Sequence, residues 1–298
     1  MVEALGGEAG VAKKAKKAMK EGKECMRTGM LKWYADYVGG AMKFEQAAKL
    51  YKAMGDNESA TEAYCLFSQC SEKSNELSGA AEGLIEAAHL TKDVSKSVEY
   101  LLMADNFFKI GGASDRGVTE MKKFANNLYE KDTVKSQQLA MEIYEKYLIK
   151  QCFDEECYVM NSDVPEAYVK MQVAQKDFKG AIRTKKTFMD YLRGEKRLDH
   201  QIRRSWLEVV CLQILLEDIY RIEDSLNEFA QDCPMGNPYA QDEYATACDL
   251  KDAMLSNNFE QMVSVTKRPI FSYIEIEIVK LLKRFAANPP ASSIALLK

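Results

Sequence analysis

The sequence is poor in residues that interrupt helices, with six prolines and 16 glycines among 298 residues. Ala, Leu, Lys, Glu and Met are abundant instead, and these residues favour helices. Because 47% of the residues are hydrophobic and 29% are charged, the chain is able to bury a sizeable core and is not disordered by composition. We therefore expect a folded protein of the all-α class.

Other absences exclude several classes of protein. No apolar run of about 18 residues occurs, so we expect no membrane span. The net charge of −4 argues against a general nucleic-acid binder, which is usually basic. None of the eight cysteines forms a C-x-x-C pair and no signal peptide is in view, so we expect reduced thiols in a cytosolic protein.

The sequence offers little for catalysis. Only two histidines are present, His89 and His200. Glu86 and His89 have the E-x-x-H spacing of carboxylate di-iron bundles, but such a site needs a second copy, and residues 197–200 do not supply one. Phosphate-binding loops, dinucleotide fingerprints, nucleophile elbows and zinc-ligand spacings are missing. We therefore expect no enzyme, no catalytic residue, no metal and no cofactor.

Helix-length segments separated by short breaks fill most of the chain. The predicted helices are 11–27, 41–54, 58–73, 76–91, 95–110, 115–130, 133–151, 153–160, 164–175, 178–192, 198–215, 218–231, 239–255, 258–265 and 270–286. The glycine at position 55 is expected to end the second of them. Four aspartates precede helices and are predicted to cap them, namely Asp56, Asp93, Asp132 and Asp163.

Several of these segments resemble one another. Those beginning near 44, 93, 132 and 177 carry a small residue in the middle and an aromatic about one turn later, at spacings of roughly 40–50 residues. This pattern predicts helix pairs that bury their apolar faces only by stacking, although the strict tetratricopeptide (TPR) consensus is absent. We predict a right-handed solenoid of degenerate TPR-like helix hairpins at 11–235, with a C-terminal helical bundle at 236–286. Residues 1–10 and 287–298 are expected to be flexible.

An apolar loop is predicted at 28–37, between the first two helices. It carries Met30, Leu31, Trp33 and Tyr34. One interpretation is that these residues dock into the first groove of the repeats; the other is shallow insertion into a bilayer interface, where Trp and Tyr rings are favoured. The preceding helix is strongly basic, which fits either a solvated helix or attraction to anionic lipid. Its lysines are Lys13, Lys14, Lys16, Lys17, Lys20 and Lys23.

Basic residues also recur in the middle of the chain. They are ordinary solvated residues, or they form a stripe along one wall of the solenoid that suits an elongated acidic partner, such as a helical bundle with surface carboxylates. One predicted helix pair carries Lys170, Lys176, Lys179, Arg183, Lys185 and Lys186, and the pair before it carries Lys122, Lys123 and Lys135.

Three stretches carry a resemblance to a known family. RTGMLKWYADY at 27–37 and AMKFEQAAKLYKAMGD at 41–56 resemble the start of the soluble NSF attachment proteins, especially the gamma type. SVTKRPIFSYIEIEIVKLL at 264–282 resembles the end of that family's helical domain. The resemblance implies a cytoplasmic, peripheral-membrane adaptor. It would bind the SNARE four-helix bundle through a basic face and recruit the hexameric NSF ATPase through its C-terminal end.

The resemblance also assigns roles to residues. Met30, Leu31 and Trp33, with Tyr34 beside them, correspond to a membrane-attachment loop. Leu297 corresponds to a leucine that stimulates the ATPase, although PPASSIALLK lacks the acidic residues that usually precede it. The implied SNARE-binding basic face consists of Lys122, Lys135, Lys176, Lys179, Arg183 and Lys186. The alternative function is a general TPR-like scaffold for protein–protein interaction, with no part in SNARE disassembly.

Overall fold

The computed structural model describes residues 7–29, 33–154, 162–193, 198–233 and 237–289. Every regular element within these ranges is a helix, and consecutive helices pack together as in an all-α helical solenoid. The prediction of the all-α class is therefore confirmed. The chain forms two compact units, Met1–Ile143 and Tyr144–Lys298. The domain ranges expected from the sequence remain predictions.

In the first unit each helix packs chiefly on the helix before it and the helix after it. Alanines fill the contacts between neighbouring helices, and the larger buried residues in these contacts include Phe44 and Phe108. Small side chains of this kind allow helices to approach closely. The helices of this unit are α1 (Gly7–Met26), α2 (Tyr37–Ala53), α3 (Asn57–Lys73), α4 (Leu77–Leu90), α5 (Val94–Ile110), α6 (Ser114–Glu130) and α7 (Val134–Ile143).

The second unit is built around α11 (Asp199–Leu215), which packs against four other helices and is enclosed over its second half. Every residue from 205 to 214 is buried, as expected for a helix covered on all sides. Around α11 lie α8 (Lys150–Asp154), α9 (Asp163–Ala174), α10 (Phe178–Leu192), α12 (Ile219–Gln231), α13 (Asp242–Leu255), α14 (Phe259–Val265) and α15 (Ile276–Ala287). A π-helical segment (Tyr144–Ile149) opens the unit, and short 3₁₀ turns occur at Pro238–Ala240 and Pro269–Ser272.

Six of the turns between helices share one arrangement. In each, three residues separate the helices, and the middle one has a left-handed backbone with φ between 52° and 76°. The amide of the third residue donates to the carbonyl five residues earlier, at 2.8–3.1 Å, which is a Schellman-type stop. That third residue is also the N-cap of the next helix. The left-handed residues are Gly55, Asn75, Gly112, Lys176, Glu217 and Asn257.

Two of the four predicted aspartate caps are confirmed, because Asp56 and Asp93 accept hydrogen bonds from the first backbone amides of α3 and α5. The other two predictions are wrong. Asp132 has a left-handed backbone in the turn before α7. The hydroxyl of Thr133, and not the carboxylate of Asp132, accepts the hydrogen bond from the Ser136 amide. Asp163 is the first residue of α9 instead of its cap.

The contact between α3 and α4 depends on Gly83. A Cβ at this position would lie 2.8 Å from Phe67 Cδ1 and 2.9 Å from the Tyr64 carbonyl oxygen. We expect Gly83→Ala to lower the free energy of unfolding by about 1–3 kcal/mol, because the backbone of α3 must move away. Urea denaturation measures the change. The exposed Ser78→Ala on the same helix is the control, and equal stability of the two variants would contradict the prediction.

Candidate functional site

The loop between α1 and α2 is held closed at its base. The amide of Asp36 donates to the Cys25 carbonyl in the last turn of α1 (3.0 Å), and the Asp36 side chain accepts from the Gly39 amide (2.8 Å). This cap starts α2 at Tyr37, four residues before the predicted start at 41. Asp36, the last residue of the loop, therefore lies beside the C-terminal end of α1. Two of the predicted site residues, Met30 and Leu31, lie outside the described residues.

The two described aromatic residues of this loop are exposed to solvent. Trp33 is 81% exposed and Tyr34 is 86% exposed, so neither is docked into a groove of the repeats. The first turns of α2 continue the apolar surface, since Val38 is 62% exposed and Met42 is 68% exposed. We call Trp33, Tyr34, Val38 and Met42 the apolar patch.

Sequence reasoning missed Val38 and Met42, because it placed the helix start after Val38 and did not single out Met42. Their spacing of four residues, on a helix whose buried face is set by Phe44 and Ala48, is the signal that could have identified them. The apolar surface ends after Met42 along α2, where Glu45 and Lys49 form an ion pair at 2.5 Å.

The six predicted basic residues fall in both units. Lys122 is half-buried on α6 and Lys135 is exposed on α7, both in the first unit. In the second unit, Lys176 occupies the left-handed position of the turn before α10. The structure brings the remaining three together on one face of α10, at spacings of four and three residues. They are Lys179, Arg183 and Lys186.

These three α10 residues line a groove of about 770 Å³ between α10, the end of α11 and α12. The α12 side of the groove carries acidic groups, including Asp224 and Glu228. Lys186 donates to both carboxylate oxygens of Glu228 (2.9 and 3.0 Å) and lies 5.1 Å from the centre of the Trp206 ring. The groove therefore carries mainly cations on its α10 side and mainly carboxylates on its α12 side, with Asp190 and Arg221 as the exceptions. The sequence did not reveal this arrangement. Lys179, Arg183 and Arg221 are its exposed cations, and Arg221 forms an ion pair with Asp218.

Lys185 was expected among the surface cations, and that expectation is wrong. The residue is 3% exposed, and its ammonium group forms an ion pair with Glu208, which is fully buried. Lys185 therefore belongs to the interior of the second unit and not to a binding surface. Leu297, the predicted NSF contact, lies outside the described residues, and its role stays a prediction.

The remaining sequence features have local partners. Glu86, in the E-x-x-H pattern, forms an ion pair with Lys52 at 2.5 Å. In the ranges that the structure describes, no three His, Cys, Asp or Glu residues form a group that could hold a metal ion.

Burial raises the pKa of the Cys70 thiol to about 11. Among the described helices, none combines the length and the apolar character needed to cross a membrane.

Comparison with known proteins gives two matches. The family model described as "Soluble NSF attachment protein, SNAP" matches residues 8–268. The gamma-soluble NSF attachment protein of Dictyostelium discoideum is 22% identical over 294 residues, covering 93% of this chain and 85% of the relative. The family match spans α1 to α14 and therefore includes both the apolar patch and the α10 groove.

Proposed function

The chain belongs to the soluble NSF attachment protein family, and we propose that it is an adaptor that binds SNARE complexes at membranes and recruits the NSF ATPase for their disassembly. The match to the family over residues 8–268 is the observation that carries this proposal. In this role the protein performs no chemistry of its own. It works on the cytoplasmic side of vesicle and target membranes and associates with them peripherally.

The apolar patch is proposed as the membrane-attachment site, together with Met30 and Leu31. The exposure of Trp33 and Tyr34 supports it, because amphipathic rings favour the headgroup level of a bilayer. Each large apolar side chain that leaves water stabilises the attached state by about 1.5–3 kcal/mol. Such an attachment is weak for one molecule and becomes effective when several molecules bind one assembly.

The SNARE-binding surface is proposed to consist of Lys122, Lys135, Lys176, Lys179, Arg183 and Lys186. Cations arranged along helices attract a helical bundle with surface carboxylates and set its register. We expect unequal contributions, because Lys186 is already paired with Glu228 whereas Lys179 and Arg183 are exposed. Leu297 is proposed to contact NSF.

Disassembly of vesicle-bound SNARE complexes by NSF and ATP tests the proposal. We expect disassembly only when the protein is added, and a rate roughly tenfold lower when Lys135, Lys176 and Lys179 are replaced by Glu, since like charges then face the acidic partner. The control variant replaces Lys73, Lys92 and Lys96 by Glu. These residues are also exposed, and none lies on α6, α7 or α10.

Two results would go against the adaptor. If folded protein leaves SNARE disassembly unchanged, the general helical scaffold becomes the better explanation. If the control variant loses as much activity as the Lys135, Lys176 and Lys179 variant, the effect comes from net charge and not from the proposed surface.

A further inference from the structure

Cations follow one side of helix α1. Three lysines of α1 and the arginine directly after it occur at spacings of four, three and four residues, which places them on one stripe of about 16 Å. They are Lys16, Lys20, Lys23 and Arg27. The adjacent face of α1 is buried through Val11, Ala15, Ala18 and Gly22 and packs on α2.

These four cations line a shallow groove of about 290 Å³. Met19 and Tyr51 form its apolar part, and Glu24 is its one carboxylate. Burial raises the pKa of Tyr51, and Asp56 and Glu62 raise it further, so its hydroxyl remains a neutral donor. We call this surface the α1 basic groove.

Two of the four cations in the groove have carboxylate partners. Lys23 pairs with Glu62 at 3.0 Å, and Lys20 lies 3.8 Å from Glu24, both as exposed pairs. Among the residues that the structure describes, Lys16 and Arg27 have no carboxylate within salt-bridge distance. Neighbouring cations of the stripe are about 4.5–6 Å apart along the helix axis, which is less than the Debye length of roughly 8–10 Å, so an anion beside the stripe is attracted by more than one of them.

The α1 basic groove ends where the loop of the apolar patch begins. Arg27, at one end of the groove, is also the first residue after α1 and starts the loop that carries Trp33 and Tyr34. Because the Asp36 amide is bonded to the Cys25 carbonyl, the end of this loop returns to the last turn of α1. The groove and the loop therefore share one end of α1.

We propose that the α1 basic groove binds the phosphate groups of anionic phospholipids in the membrane that the apolar patch enters. This inference rests on the membrane attachment in the proposed function and adds its lipid preference. A single apolar anchor gives marginal and reversible membrane binding, and a basic surface beside it supplies the second contribution that stable attachment needs. Lysines and arginines within a Debye length of an anionic bilayer provide that attraction.

Binding to vesicles of two compositions tests the proposal, one of phosphatidylcholine alone and one of phosphatidylcholine with phosphatidylserine. We expect the unmodified protein to prefer the anionic vesicles by roughly 10- to 100-fold, as several lysines near an anionic surface predict. A variant with Lys16→Gln, Lys20→Gln and Arg27→Gln should lose this preference. Gln maintains helix propensity, so its helical circular dichroism should be unchanged.

The matched control is Lys92→Gln, Lys96→Gln and Lys131→Gln, which removes the same charge from another exposed surface of the first unit and should retain the preference. The proposal is overturned if the groove variant still prefers anionic vesicles as strongly as the unmodified protein. It is also overturned if inorganic phosphate, at constant ionic strength, binds the unmodified protein but not the groove variant while neither protein prefers anionic vesicles, because the groove would then take free phosphate.

Failure of this proposal is distinguishable from failure of the adaptor function. Disassembly of detergent-solubilised SNARE complexes involves no bilayer, so it reports on the adaptor function alone. An adaptor whose groove does not bind lipid would support that reaction and show no lipid preference. A protein that shows the lipid preference and does not support disassembly would be a membrane-bound scaffold of another kind.

Discussion

Glu208→Gln is expected to lower the free energy of unfolding by about 3–5 kcal/mol. Glu208 is fully buried on α11, and its Oε2 oxygen faces the ammonium group of Lys185 on α10. The substitution removes the negative charge and leaves the buried ammonium group without its partner. Loss of one member of a buried pair costs more than the pair contributes, because the remaining charge is still removed from water.

The surroundings of Glu208 increase this dependence. Its Oε1 oxygen accepts a hydrogen bond from the Glu275 amide at 2.9 Å, and Arg204 lies 3.7 Å from the same oxygen. The Lys185 ammonium group contacts the other carboxylate oxygen, Oε2, directly, so the charge of Glu208 provides the attraction. Gln retains an oxygen that can accept from Glu275, so Glu208→Gln tests the charge and leaves the hydrogen bond in place.

The double variant Lys185→Met and Glu208→Gln shows whether the lost stability comes from the unpaired lysine or from the new side chain at position 208. Replacing both charges is often neutral or stabilising for a buried ion pair, so we expect it to recover most of the lost stability. The control is Glu223→Gln, which breaks the exposed Glu223–Lys251 pair (3.2 Å) in the same unit. Exposed pairs contribute about 0–1 kcal/mol, and the control should stay within that range.

Urea unfolding followed by circular dichroism gives the free energy of unfolding of the unmodified protein, of Glu208→Gln, of the double variant and of Glu223→Gln. Equal stability of Glu208→Gln and Glu223→Gln would show that the buried pair is not critical. A double variant as unstable as Glu208→Gln would show that the loss comes from the shape or hydrogen bonding at position 208 and not from the unpaired lysine.

Local signals explain why the helix bounds were predictable. Capping aspartates and left-handed turn residues act within a few positions of each other, so Gly55, Asp56 and Asp93 mark helix ends in the sequence as they do in the structure. The predicted 41–54 helix missed its first turn because Asp36 lies inside a segment that was interpreted as loop. Local chemistry therefore fixes most of the secondary structure.

Features that depend on distant residues were not predictable. Lys185 and Lys186 are neighbours of the same type, but one is buried against Glu208 and the other lies over Trp206. Only the packing of α10 on α11 distinguishes them. The predicted 270–286 helix is divided for a similar reason. Its first part forms a 3₁₀ turn that begins at Pro269, and the Glu275 amide, just before α15, is bonded to Glu208.

Part of the candidate site could likewise be predicted from the sequence, and part of it depended on packing. The sequence identified Trp33 and Tyr34 through their residue type in a connecting segment, and the structure shows both exposed. Their extension through Val38 and Met42 required knowledge of which face α2 buries. The presence of Asp224 and Glu228 opposite Lys179 and Arg183 could be recognised only once the position of α12 was known. Exposure and juxtaposition are properties of packing, which residue type alone does not specify.

Trp33→Ser combined with Tyr34→Ser is expected to weaken binding to phosphatidylcholine vesicles by on the order of 100-fold. Two large side chains at about 1.5 kcal/mol each, the lower end of the range for burial, give this value. Both rings are in solvent in the free protein, so the urea unfolding transition should not change. The matched control is Tyr220→Ser with Tyr273→Ser, since these aromatics are 89% and 66% exposed outside the apolar patch.

Tryptophan fluorescence measures insertion directly. The chain contains two tryptophans. Trp33 is exposed whereas Trp206 is fully buried, so an aqueous quencher should act on Trp33 alone. Vesicles should protect Trp33 from the quencher and shift its emission to shorter wavelength. Unchanged quenching at saturating vesicle concentration would mean that Trp33 stays in water and that the apolar patch does not enter the bilayer.

The same double variant separates attachment from adaptor function. SNARE complexes solubilised in detergent need no membrane anchor, so their disassembly by NSF should be as fast with the Trp33 and Tyr34 variant as with the unmodified protein. On vesicle-bound complexes the variant should be slower, because fewer molecules are concentrated at the membrane. Equal loss in both assays would instead place Trp33 and Tyr34 in a protein contact, since only an effect independent of the bilayer reduces both rates together.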